Sequence, residues 1–456
     1  MQKTWKCTAC GYLHTGESVP ELCPVCAAPA ELFIEERAPE QKLPPVIDTL
    51  DYLAAWQRKD DDVEPRFARL QRLATTGETE ISAMGTHRHA VTWDDILLCG
   101  AQLDRLPLEK DEDVSTRTTI GKCADQPLEL QIPFYVSHMS FGALSKEAKI
   151  SLARGSAAVG TAIGSGEGGM LKEEREHAKH YIYELGTARF SHVESSIRAA
   201  DAVEIKIGQA AKPGLGGHLP ADKVTDEIAA IRGLAVGEDS ISPSRQPDIN
   251  SRADLRRKVD ELRELTGGKP IGIKFAAGRL EQDLDFALAA GPDFVTIDCR
   301  GGGTGAAPTV VKDNVCLHAI FALRRARRFL DERRSAVTLC ITGGFRDSSD
   351  IAKALALGAD AVALATASMM AIGCQQYRIC QTGRCPVGIA TQDPALRARL
   401  VIDKSVERFV RFYRGTTREL ATLTRLAGRR SVHDLDLSDL FTTSLEVAHF
   451  TDIAHA

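Results

Sequence analysis

The stretch DFVTIDCRGGGTGAAP, residues 293–308, joins a short apolar run rich in β-branched residues to a loop rich in glycine. Comparable apolar runs, separated by helical segments, begin at residues 133, 202, 270, 337 and 360. Weaker runs near residues 160 and 240 bring the number of predicted strands to eight. Apolar strands alternating with helices are typical of a parallel sheet, and eight repeats over roughly 270 residues favour an α/β fold of the (β/α)8 TIM-barrel class. A doubly wound open sheet is the alternative.

Loops rich in glycine follow most of the predicted strands. They read SHMSFGALS, GSGEGGM, KIGQAAKPGLGGHLP, KFAAG, DCRGGGTGAAP and TGGFRD. In a (β/α)8 barrel the loops at the carboxyl ends of the strands build the functional site, and glycine there lets backbone N–H groups approach an anion closely. Phosphate often binds after strands seven and eight of such barrels, which here are followed by Gly343 and Gly344 and by Ala365 and Thr366.

Three lysines lie at or just beyond the same strand ends. Lys206 and Lys274 alternate with apolar residues, so their side chains are expected to face the barrel mouth. Lys212 follows in the loop after the first of these strands. A buried cation at this place needs an anionic partner, such as the N1 and O2 region of a flavin or a carboxylate substrate.

The composition argues against several classes of protein. The net charge is −5 and only 5% of the residues are aromatic, so we expect no binding to nucleic acid or to an anionic membrane surface. No apolar run reaches the roughly 20 residues of a membrane helix, and the N-terminus lacks the layout of a signal peptide. We therefore expect a cytoplasmic protein, in which twelve cysteines indicate metal or redox chemistry rather than disulfides.

Four of the cysteines form two C-x-x-C pairs within residues 1–37, Cys7 with Cys10 and Cys23 with Cys26. Two such turns direct four thiolates at one tetrahedral site, which suits zinc or a single iron. So short a segment has too small a core to fold unaided, and the metal is expected to supply much of its folding free energy.

This N-terminal segment resembles the rubredoxin-like domain of rubrerythrins. The resemblance rests on Trp5, on the C-x-x-C-G-Y turn that ends at Tyr12, and on the second pair, which reads C-P-x-C. The family usually has a glycine after the last cysteine, where this chain has Ala27. Iron would make the domain a one-electron relay, and zinc would make it purely structural. A second redox group further along the chain favours iron, and zinc stays open.

That second group lies in GCQQYRICQTGRCPVGIATQDP, residues 373–394, which contains Cys374, Cys380 and Cys385. Together with GSGEGG, QxAKPGxGG and GGTGAxP, this iron-sulfur segment resembles the FMN-binding synthase domain of glutamate synthase. The archaeal-type subunits and the related subunit of N-methylglutamate synthase are the most similar. In that family three cysteines hold a [3Fe-4S] cluster beside FMN in a (β/α)8 barrel, which implies the same role for these three. A zinc site with a fourth ligand elsewhere is the alternative.

The resemblance also divides the chain. It covers residues 130 to about 400, and the FMN-binding domain is predicted to span residues 96–420. Before it, residues 38–95 are expected to form a linker and helical connector, because a proline-rich stretch precedes a helical pattern that breaks near Pro65. After it, residues 421–456 are expected to form a helical tail packed on the barrel exterior.

The family motifs further imply the residues of the site. Glu167, in GSGEGG, and Lys212 are assigned as catalytic, with Glu167 handling the proton of the ammonia or the imine. A turn carboxylate facing water is the other interpretation of Glu167. The substrate is expected to contact Lys206, Gln209, His218 and Arg232. The FMN is expected to contact Ser140, Gly142, Lys274, Gly302, Gly303, Thr304, Gly343, Gly344 and Thr366.

Several positions depart from the family motifs. The large bacterial and plant enzymes read AKPGEGGQ where this chain has Leu215 and His218. The aspartate that they place before the glycines of GGTG is Gly301 here, preceded by Arg300, and the seventh strand ends in TGG instead of DGG. These changes leave the identity of the amine and of the keto acid open.

The resemblance implies an oxidoreductase that reduces the imine of 2-oxoglutarate and ammonia to L-glutamate. Electrons would pass from ferredoxin or a reductase subunit through the iron-sulfur cluster to FMN. We find no glutaminase segment and no G-x-G-x-x-G dinucleotide motif, so we expect free ammonia, an amine or a separate glutaminase subunit to supply nitrogen. Two alternatives stay open, an N-methylglutamate synthase-like subunit acting on a different amine and a non-catalytic electron-transfer or redox-sensing flavoprotein.

Overall fold

The structure is a computed structural model, and it describes residues 3–35, 58–88 and 91–456. The connector predicted over residues 38–95 therefore falls partly on residues outside the described ones, namely 38–57, 89 and 90. Among the described residues, no helix combines the length and the hydrophobicity that are needed to cross a membrane.

The first of two compact units, Met1–Glu78, contains a small antiparallel sheet. Its strands, in the order β2-β1-β3, are β1 (Lys3–Cys7), β2 (Leu13–Gly16) and β3 (Phe33–Glu35). A 3-10 turn, Ala30–Leu32, precedes β3. The same unit contains the helix α1 (Phe67–Thr76), which ends where Gly77 takes a φ of +68° that suits glycine. This helix lies within the stretch that the sequence predicts to be a helical connector.

The second unit, Thr79–Ala456, is built on a closed barrel of eight parallel strands. The barrel strands follow one another as β8-β9-β10-β11-β14-β15-β17-β18. All strands of the unit, in chain order, are β4 (Ile81–Ser82), β5 (Ile96–Leu98), β6 (Thr118–Ile120), β7 (Leu128–Leu130), β8 (Phe134–Val136), β9 (Ala162–Gly164), β10 (His180–Leu185), β11 (Ala202–Lys206), β12 (His218–Leu219), β13 (Ser240–Ile241), β14 (Ile271–Ala276), β15 (Phe294–Asp298), β16 (Ala307–Pro308), β17 (Thr338–Thr342), β18 (Ala361–Leu364), β19 (Leu440–Thr442) and β20 (Ala454–His455).

The helices of the second unit lie between the barrel strands in the chain and after the last of them. They are α2 (Lys146–Val159), α3 (Lys172–His177), α4 (Glu194–Ala199), α5 (Asp226–Arg232), α6 (Arg252–Thr266), α7 (Leu280–Leu288), α8 (Thr309–Lys312), α9 (Ala319–Glu332), α10 (Ser348–Ala356), α11 (Thr366–Ile372), α12 (Pro394–Arg397), α13 (Ile402–Leu426) and α14 (Leu445–Thr451). Short 3-10 turns occur at Trp93–Asp95, Arg189–Ser191, Ala221–Lys223, Cys380–Thr382, Val432–Asp434 and Leu437–Asp439.

The predicted (β/α)8 barrel is confirmed, but one of its strands differs from the prediction. The run near residue 240 is β13, which pairs with β12 outside the barrel. The missing barrel strand is β10, whose sequence HYIYEL contains the buried Glu184 and follows a helix rich in charge. A carboxylate in the barrel interior breaks the apolar pattern by which buried strands are found. The loop KIGQAAKPGLGGHLP consequently follows the fourth strand, β11, and not the third.

The amino-terminal end of the barrel is closed by a hairpin. Strands β6 and β7 bring Ile120 and Leu130 into a buried cluster with Tyr135 and Phe294, residues of the barrel interior. The Phe294 ring fills the space beside Gly272, where a Cβ would overlap it, so glycine is required within strand β14. The interior is therefore apolar and filled at this end.

Helix α13 packs on the barrel exterior and continues through residue 420, where the sequence places the start of a helical tail. Its Phe409 and Tyr413 are fully buried, and the Tyr413 hydroxyl lies 2.7 Å from the Ser368 hydroxyl. Beyond α13, residues 427–456 also form strands, since β19 pairs with β5 and β20. The segment predicted to be a tail thus contributes strands as well as helices to the barrel exterior.

A glycine substitution tests the packing of α13 on α2. A Cβ at Gly155 of α2 would lie 2.7 Å from Cγ of Phe409, whose ring is enclosed on all sides. We expect Gly155→Ala to lower the free energy of unfolding by about 1–3 kcal/mol through overpacking, although alanine ordinarily stabilises a helix interior by about 1 kcal/mol relative to glycine. The matched control is Gly415→Ala on α13, where no atom lies within 4 Å of the added Cβ. A free energy of unfolding, measured in urea, that is unchanged or increased in both variants would contradict this packing.

Candidate functional site

A cavity of about 1330 Å³ opens at the carboxyl ends of the barrel strands. A volume of this size accommodates a cofactor together with a small substrate. The structure brings all predicted flavin, substrate and catalytic residues to its wall, namely Ser140, Gly142, Glu167, Lys206, Gln209, Lys212, His218, Arg232, Lys274, Gly302, Gly303, Thr304, Gly343, Gly344 and Thr366. Their individual roles stay predictions.

The glycines after strands β15 and β17 form a cradle that side chains would fill. Gly301, Gly343 and Gly344 take φ angles of +104°, +138° and +88°, which side chains other than glycine rarely adopt. A Cβ at Gly343 would lie 2.7 Å from the carbonyl oxygen of Cys299. Backbone atoms therefore line this part of the cavity, as the phosphate and ring edge of a flavin require. The residues present fit FMN.

The loop after β8, which carries Ser140 and Gly142, is held by the three-cysteine segment 373–394. The Gln392 amide donates to the carbonyls of Gly142 and Leu144 at 3.1 and 2.9 Å. The Ser145 hydroxyl donates to the carbonyl of Gly388 at 2.6 Å. The motif GIATQ therefore has a structural role beside the cavity, because it fixes a loop that the sequence assigns to the flavin.

Lys206 is paired inside the cavity by a carboxylate. Its ammonium forms an ion pair with Glu167 and donates to Oε1 of Gln209 at 2.9 Å. Burial raises the pKa of Glu167, but the charge of Lys206 outweighs burial and holds the pKa below its usual range. The Ser242 hydroxyl also bonds this carboxylate. Glu167 is therefore a buried, ionised carboxylate, and not a turn residue facing water.

Lys274, next to Lys206 on the adjacent strand, is paired in the same way. Its Nζ lies 2.7 Å from Oε1 of Glu184, and both side chains are buried. Burial alone would lower the pKa of Lys274, but Glu184 and the nearby Glu204 raise it above its usual range. The Glu184 pKa is correspondingly held below its usual range by Lys274 and Lys206, against the effect of burial. The anionic partners that the sequence predicts for the two lysines are thus supplied by the chain itself.

A third buried carboxylate, Glu204, lies beneath these pairs. It accepts a hydrogen bond from Thr296, and its Oε2 lies 3.0 Å from Nε2 of His138. The other ring nitrogen of His138 accepts from the backbone N–H of Gly166 at 3.3 Å. Glu204 and His138 therefore connect the floor of the cavity to the turn that carries Glu167.

Asp298, the last residue of β15, is a fourth buried carboxylate at the cavity. Burial raises its pKa to about 6, although Lys274 lowers it. The backbone N–H of Ala210 also lowers this pKa, so the loop after β11 lies beside the end of β15.

Lys212 differs from the other two lysines. Within the described part of the chain, its ammonium has no hydrogen-bond or ion-pair partner, although it faces the cavity. Burial, and then the charge of Lys206, lower its pKa to about 8, and Glu167 opposes this shift. An amine of this kind gains most from an anionic ligand.

Arg232, on α5, is almost completely buried beside the same cavity. Its guanidinium donates to the Phe141 carbonyl and the Ser240 hydroxyl, both at 2.9 Å. Burial lowers its pKa to about 10, so it stays charged at neutral pH. Neither acceptor is a carboxylate, so its charge is also available to an anion.

The residues that depart from the family motifs lie away from these pairs. Leu215 and His218 are exposed at the rim, where Nε2 of His218 lies 2.8 Å from a carboxylate oxygen of Asp239. Arg300 donates to the backbone carbonyl of Asp313 at 2.9 Å and does not line the cavity. Arg300 thus stabilises the backbone beside the cavity, and Leu215 and His218 lie at the cavity entrance.

Sequence reasoning missed four charged or titratable residues of the site, His138, Glu184, Glu204 and Asp298. One of them could have been found. Glu204 lies two residues before Lys206 in a strand, so both side chains must point to the same face of the sheet. Glu184 was hidden because its strand was not recognised.

The four N-terminal cysteines form a metal site in the first unit. Their sulfur atoms all lie within 4.8 Å of one another, with 3.7 Å between Cys7 and Cys26 and 3.6 Å between Cys10 and Cys23. Four sulfurs at about 2.3 Å from one tetrahedral metal would be separated by about 3.8 Å. The set therefore fits a single zinc or iron ion.

The two knuckle turns of this site have the same backbone geometry. Gly11 follows the first pair with a φ of +79°, and Ala27 follows the second with a φ of +56°. The left-handed conformation costs alanine roughly 1 kcal/mol more than glycine. Ala27, where related domains usually have glycine, thus leaves the turn intact but strains it.

Cys374, Cys380 and Cys385 follow β18 in the chain. Burial, and then the neighbouring Cys374 and Cys385, raise the pKa of Cys380 to about 11, while the charge of Lys223 opposes this shift. Arg378 lies near Cys374, and its positive charge lowers the pKa of that thiol, as the charge of Lys223 lowers the pKa of Cys380. Three neighbouring thiols with cations beside them fit a cluster whose bound form carries negative charge.

Two family matches cover nearly all of this architecture. Residues 70–430 match the conserved region in glutamate synthase, and residues 5–34 match the rubredoxin-like domain of rubrerythrin. The first match spans the whole barrel and the three-cysteine segment. The second spans all four N-terminal cysteines.

Individual proteins agree with these matches. The glutamate synthase large subunit-like protein of Rhizobium meliloti is 38% identical, over 85% of this chain and 92% of that protein. The archaeal glutamate synthase (NADPH) of Methanocaldococcus jannaschii is 37% identical, over 82% of this chain and 79% of that protein. Flavocytochrome b2 is similar in structure, with a TM-score of 0.50 and 18% identity over 78% of this chain and 77% of that chain. At this identity the structural likeness shows a shared barrel fold.

One conclusion follows from the family match over most of the chain, from the identity to these relatives and from the closed barrel. The chain belongs to the glutamate synthase family of oxidoreductases, and it has a rubredoxin-like metal-binding domain at its N-terminus.

Proposed function

We propose that this chain is the FMN- and [3Fe-4S]-containing catalytic subunit of a glutamate synthase, which reduces the imine of 2-oxoglutarate and ammonia to L-glutamate. The observation that carries the proposal is the ammonium of Lys212. It faces a cavity with a glycine cradle and has no acceptor among the described residues, whereas Lys206 and Lys274 are each neutralised by a glutamate.

The proposal assigns the two carboxylates of the keto acid to Lys212 and Arg232. Both cations are largely buried at the cavity, where charge-assisted hydrogen bonds are stronger than at an exposed surface. Gln209 accepts from Lys206 through its carbonyl oxygen, which leaves its amide N–H groups free to orient the keto acid. These contacts would hold the carbon that is reduced in one place relative to the flavin.

Protons are proposed to move through Glu167. Ammonium must lose a proton before it attacks the keto carbon, and an ionised carboxylate is the base that this step requires. Lys206 holds one oxygen of Glu167 and keeps its pKa low, so the carboxylate is ionised at neutral pH. Loss of water from the adduct then gives the imine, to which bound reduced FMN supplies a hydride.

The cofactors are assigned to the chain as follows. FMN would lie against Ser140, Gly142, Lys274 and Thr366 and the glycine cradle that ends in Thr304. Cys374, Cys380 and Cys385 would hold the [3Fe-4S] cluster, and the N-terminal cysteines would hold iron or zinc. The electron donor would be ferredoxin or a reductase subunit, with iron in the rubredoxin-like domain as a further relay. NADPH stands in the name of the archaeal relative, and we propose a separate donor for this chain.

The proposed function is tested by an anaerobic assay with dithionite-reduced protein, 2-oxoglutarate, and ammonia or methylamine in parallel. We expect glutamate from ammonia, and N-methylglutamate as the larger product would favour the alternative amine. Glu167→Gln should keep both cofactors and lower kcat by about 10²–10⁴-fold, because the amide cannot accept the proton. The matched control, Glu173→Gln, removes a carboxylate that pairs with Lys146 outside the cavity. A flavin-loaded wild type that forms neither product would contradict the proposal and favour an electron-transfer protein.

The pH dependence of keto-acid binding tests the role of Lys212. Its pKa of about 8 means that the ammonium is charged below pH 8 and neutral above it. Affinity for 2-oxoglutarate, measured by its effect on the flavin spectrum, should therefore decrease by up to about tenfold for each pH unit above 8. Lys212→Arg should abolish this decrease because arginine stays charged, and the exposed Lys172→Met should leave it unchanged. An identical pH profile in wild type and Lys212→Arg would exclude Lys212 as the titrating group.

Removal of one thiol tests the cluster ligands. We expect Cys380→Ser to lose the EPR signal and the acid-labile sulfide of the cluster, because a serine hydroxyl is a poor iron ligand, and to keep its FMN. Cys123→Ser is the control, since Cys123 is exposed and lies outside both cysteine groups. Equal sulfide content in the two variants would show that these thiols do not hold the cluster.

A further inference from the structure

Residues 79–88, at the beginning of the second unit, form a strap across the glycine loop after β15. Its strand β4 pairs antiparallel with β16, which directly follows that loop. The backbone N–H of Met84 donates to the carbonyl of Thr304 at 2.8 Å. Ile81, Met84, Gly85 and Thr86 line the cavity together with Gly301, Gly302 and Gly303. The strap is therefore a wall of the site, although it precedes the barrel by about fifty residues in the chain.

The strap and the glycine loop are in backbone contact. A Cβ at Gly85 would lie 2.7 Å from the carbonyl oxygen of Gly301, and one at Gly303 would lie 3.2 Å from the backbone nitrogen of Gly85. Met84, the residue before Gly85, takes a φ of +66°, which is unfavourable for a side chain of its size. Such strain persists only where the surrounding contacts outweigh it.

Two side chains from α8 and its C-terminus fasten the strap. Lys312 is buried and donates through Nζ to the carbonyls of Ala83 at 3.0 Å and Met84 at 3.4 Å. Asp313 accepts from the Thr86 hydroxyl at 2.7 Å.

Arg88 and Arg300 add to these fastenings from the strap and from the loop. Arg88 lies 3.6 Å from Asp313, and Arg300 donates to the backbone carbonyl of Asp313 at 2.9 Å. Arg300, a departure from the family motif, thus helps to hold the strap.

The strap also contacts the three-cysteine segment. Strand β4 packs against the 3-10 turn Cys380–Thr382. Its residues therefore lie between the glycine loop and the proposed cluster ligands.

We propose that the strap 79–88 holds the glycine loop 301–304 in its flavin-binding conformation, with Lys312 and Asp313 as positioning residues. Neither side chain has to touch the flavin for this role. Without the Lys312 ammonium, two buried carbonyls of the strap lose their donor, and Met84 loses the contact that offsets its strained backbone. The loop is then free to move, and flavin escapes faster. This inference rests on the proposed binding of FMN.

The test is the rate at which FMN leaves the full-length protein after dilution, followed by the fluorescence of released flavin. We expect Lys312→Met and Thr86→Val each to release FMN at least tenfold faster than wild type. Thr86→Val removes only the hydroxyl bonded to Asp313 and serves as the milder variant if Lys312→Met folds poorly. The matched control is Lys269→Met. Lys269 precedes β14 and donates to the Ala200 carbonyl, away from the cavity.

The outcomes separate the two proposals. Release from Thr86→Val within twofold of wild type, in a protein that binds FMN, would overturn the role of the strap. Equal acceleration in Lys269→Met and Lys312→Met would overturn it as well, because general destabilisation would then explain both. A wild type that binds no FMN would contradict the proposed function itself, and with it this inference.

Discussion

Two lysines buried side by side determine much of the structure around the cavity. Lys206 and Lys274 are neighbours in register on strands β11 and β14, and both are almost completely buried. Two like charges removed from water in this way would cost several kcal/mol each without counter-charges. Glu167 and Glu184 supply the counter-charges, one from the turn after β9 and one from β10. The positions of that turn and of the third barrel strand are thereby linked to the charges of the fourth and fifth strands.

This constraint explains what could be predicted from the sequence. The barrel and the inward direction of Lys206 and Lys274 follow from alternation within single strands, so local pattern is sufficient for both. The partner of Lys274 is ninety residues earlier in the chain, and no local pattern indicates which carboxylate will reach it. The same carboxylate, Glu184, concealed its strand, because a charged residue in the barrel interior resembles a loop or helix surface in sequence. Arg300 departs from the family motif, and its role could not be predicted either, because its hydrogen bond to the Asp313 carbonyl is visible only in the folded chain.

A second constraint acts on the loops at the open end of the barrel. These loops are rich in glycine, and segments outside the strand and helix repeats bond two of them. Gln392, in the three-cysteine segment 373–394, bonds the loop after β8, and the strap 79–88 bonds the loop after β15. Both segments are remote in sequence from the loops that they hold. Glycine supplies close approach to a ligand, and the remote segments supply the rigidity that glycine lacks.

The division between paired charges and rim residues determines which positions of the cavity can change at little cost to the fold. Lys206, Lys274 and their glutamates are buried and bonded to one another, so replacing any one of them would leave a charge unpaired. Leu215 and His218, by contrast, are exposed in a loop whose neighbouring glycines Gly214 and Gly216 take left-handed conformations. Substitutions there change the shape of the entrance without disturbing a buried ion pair. The charge arrangement beneath the rim therefore stays constant when Leu215 or His218 is exchanged.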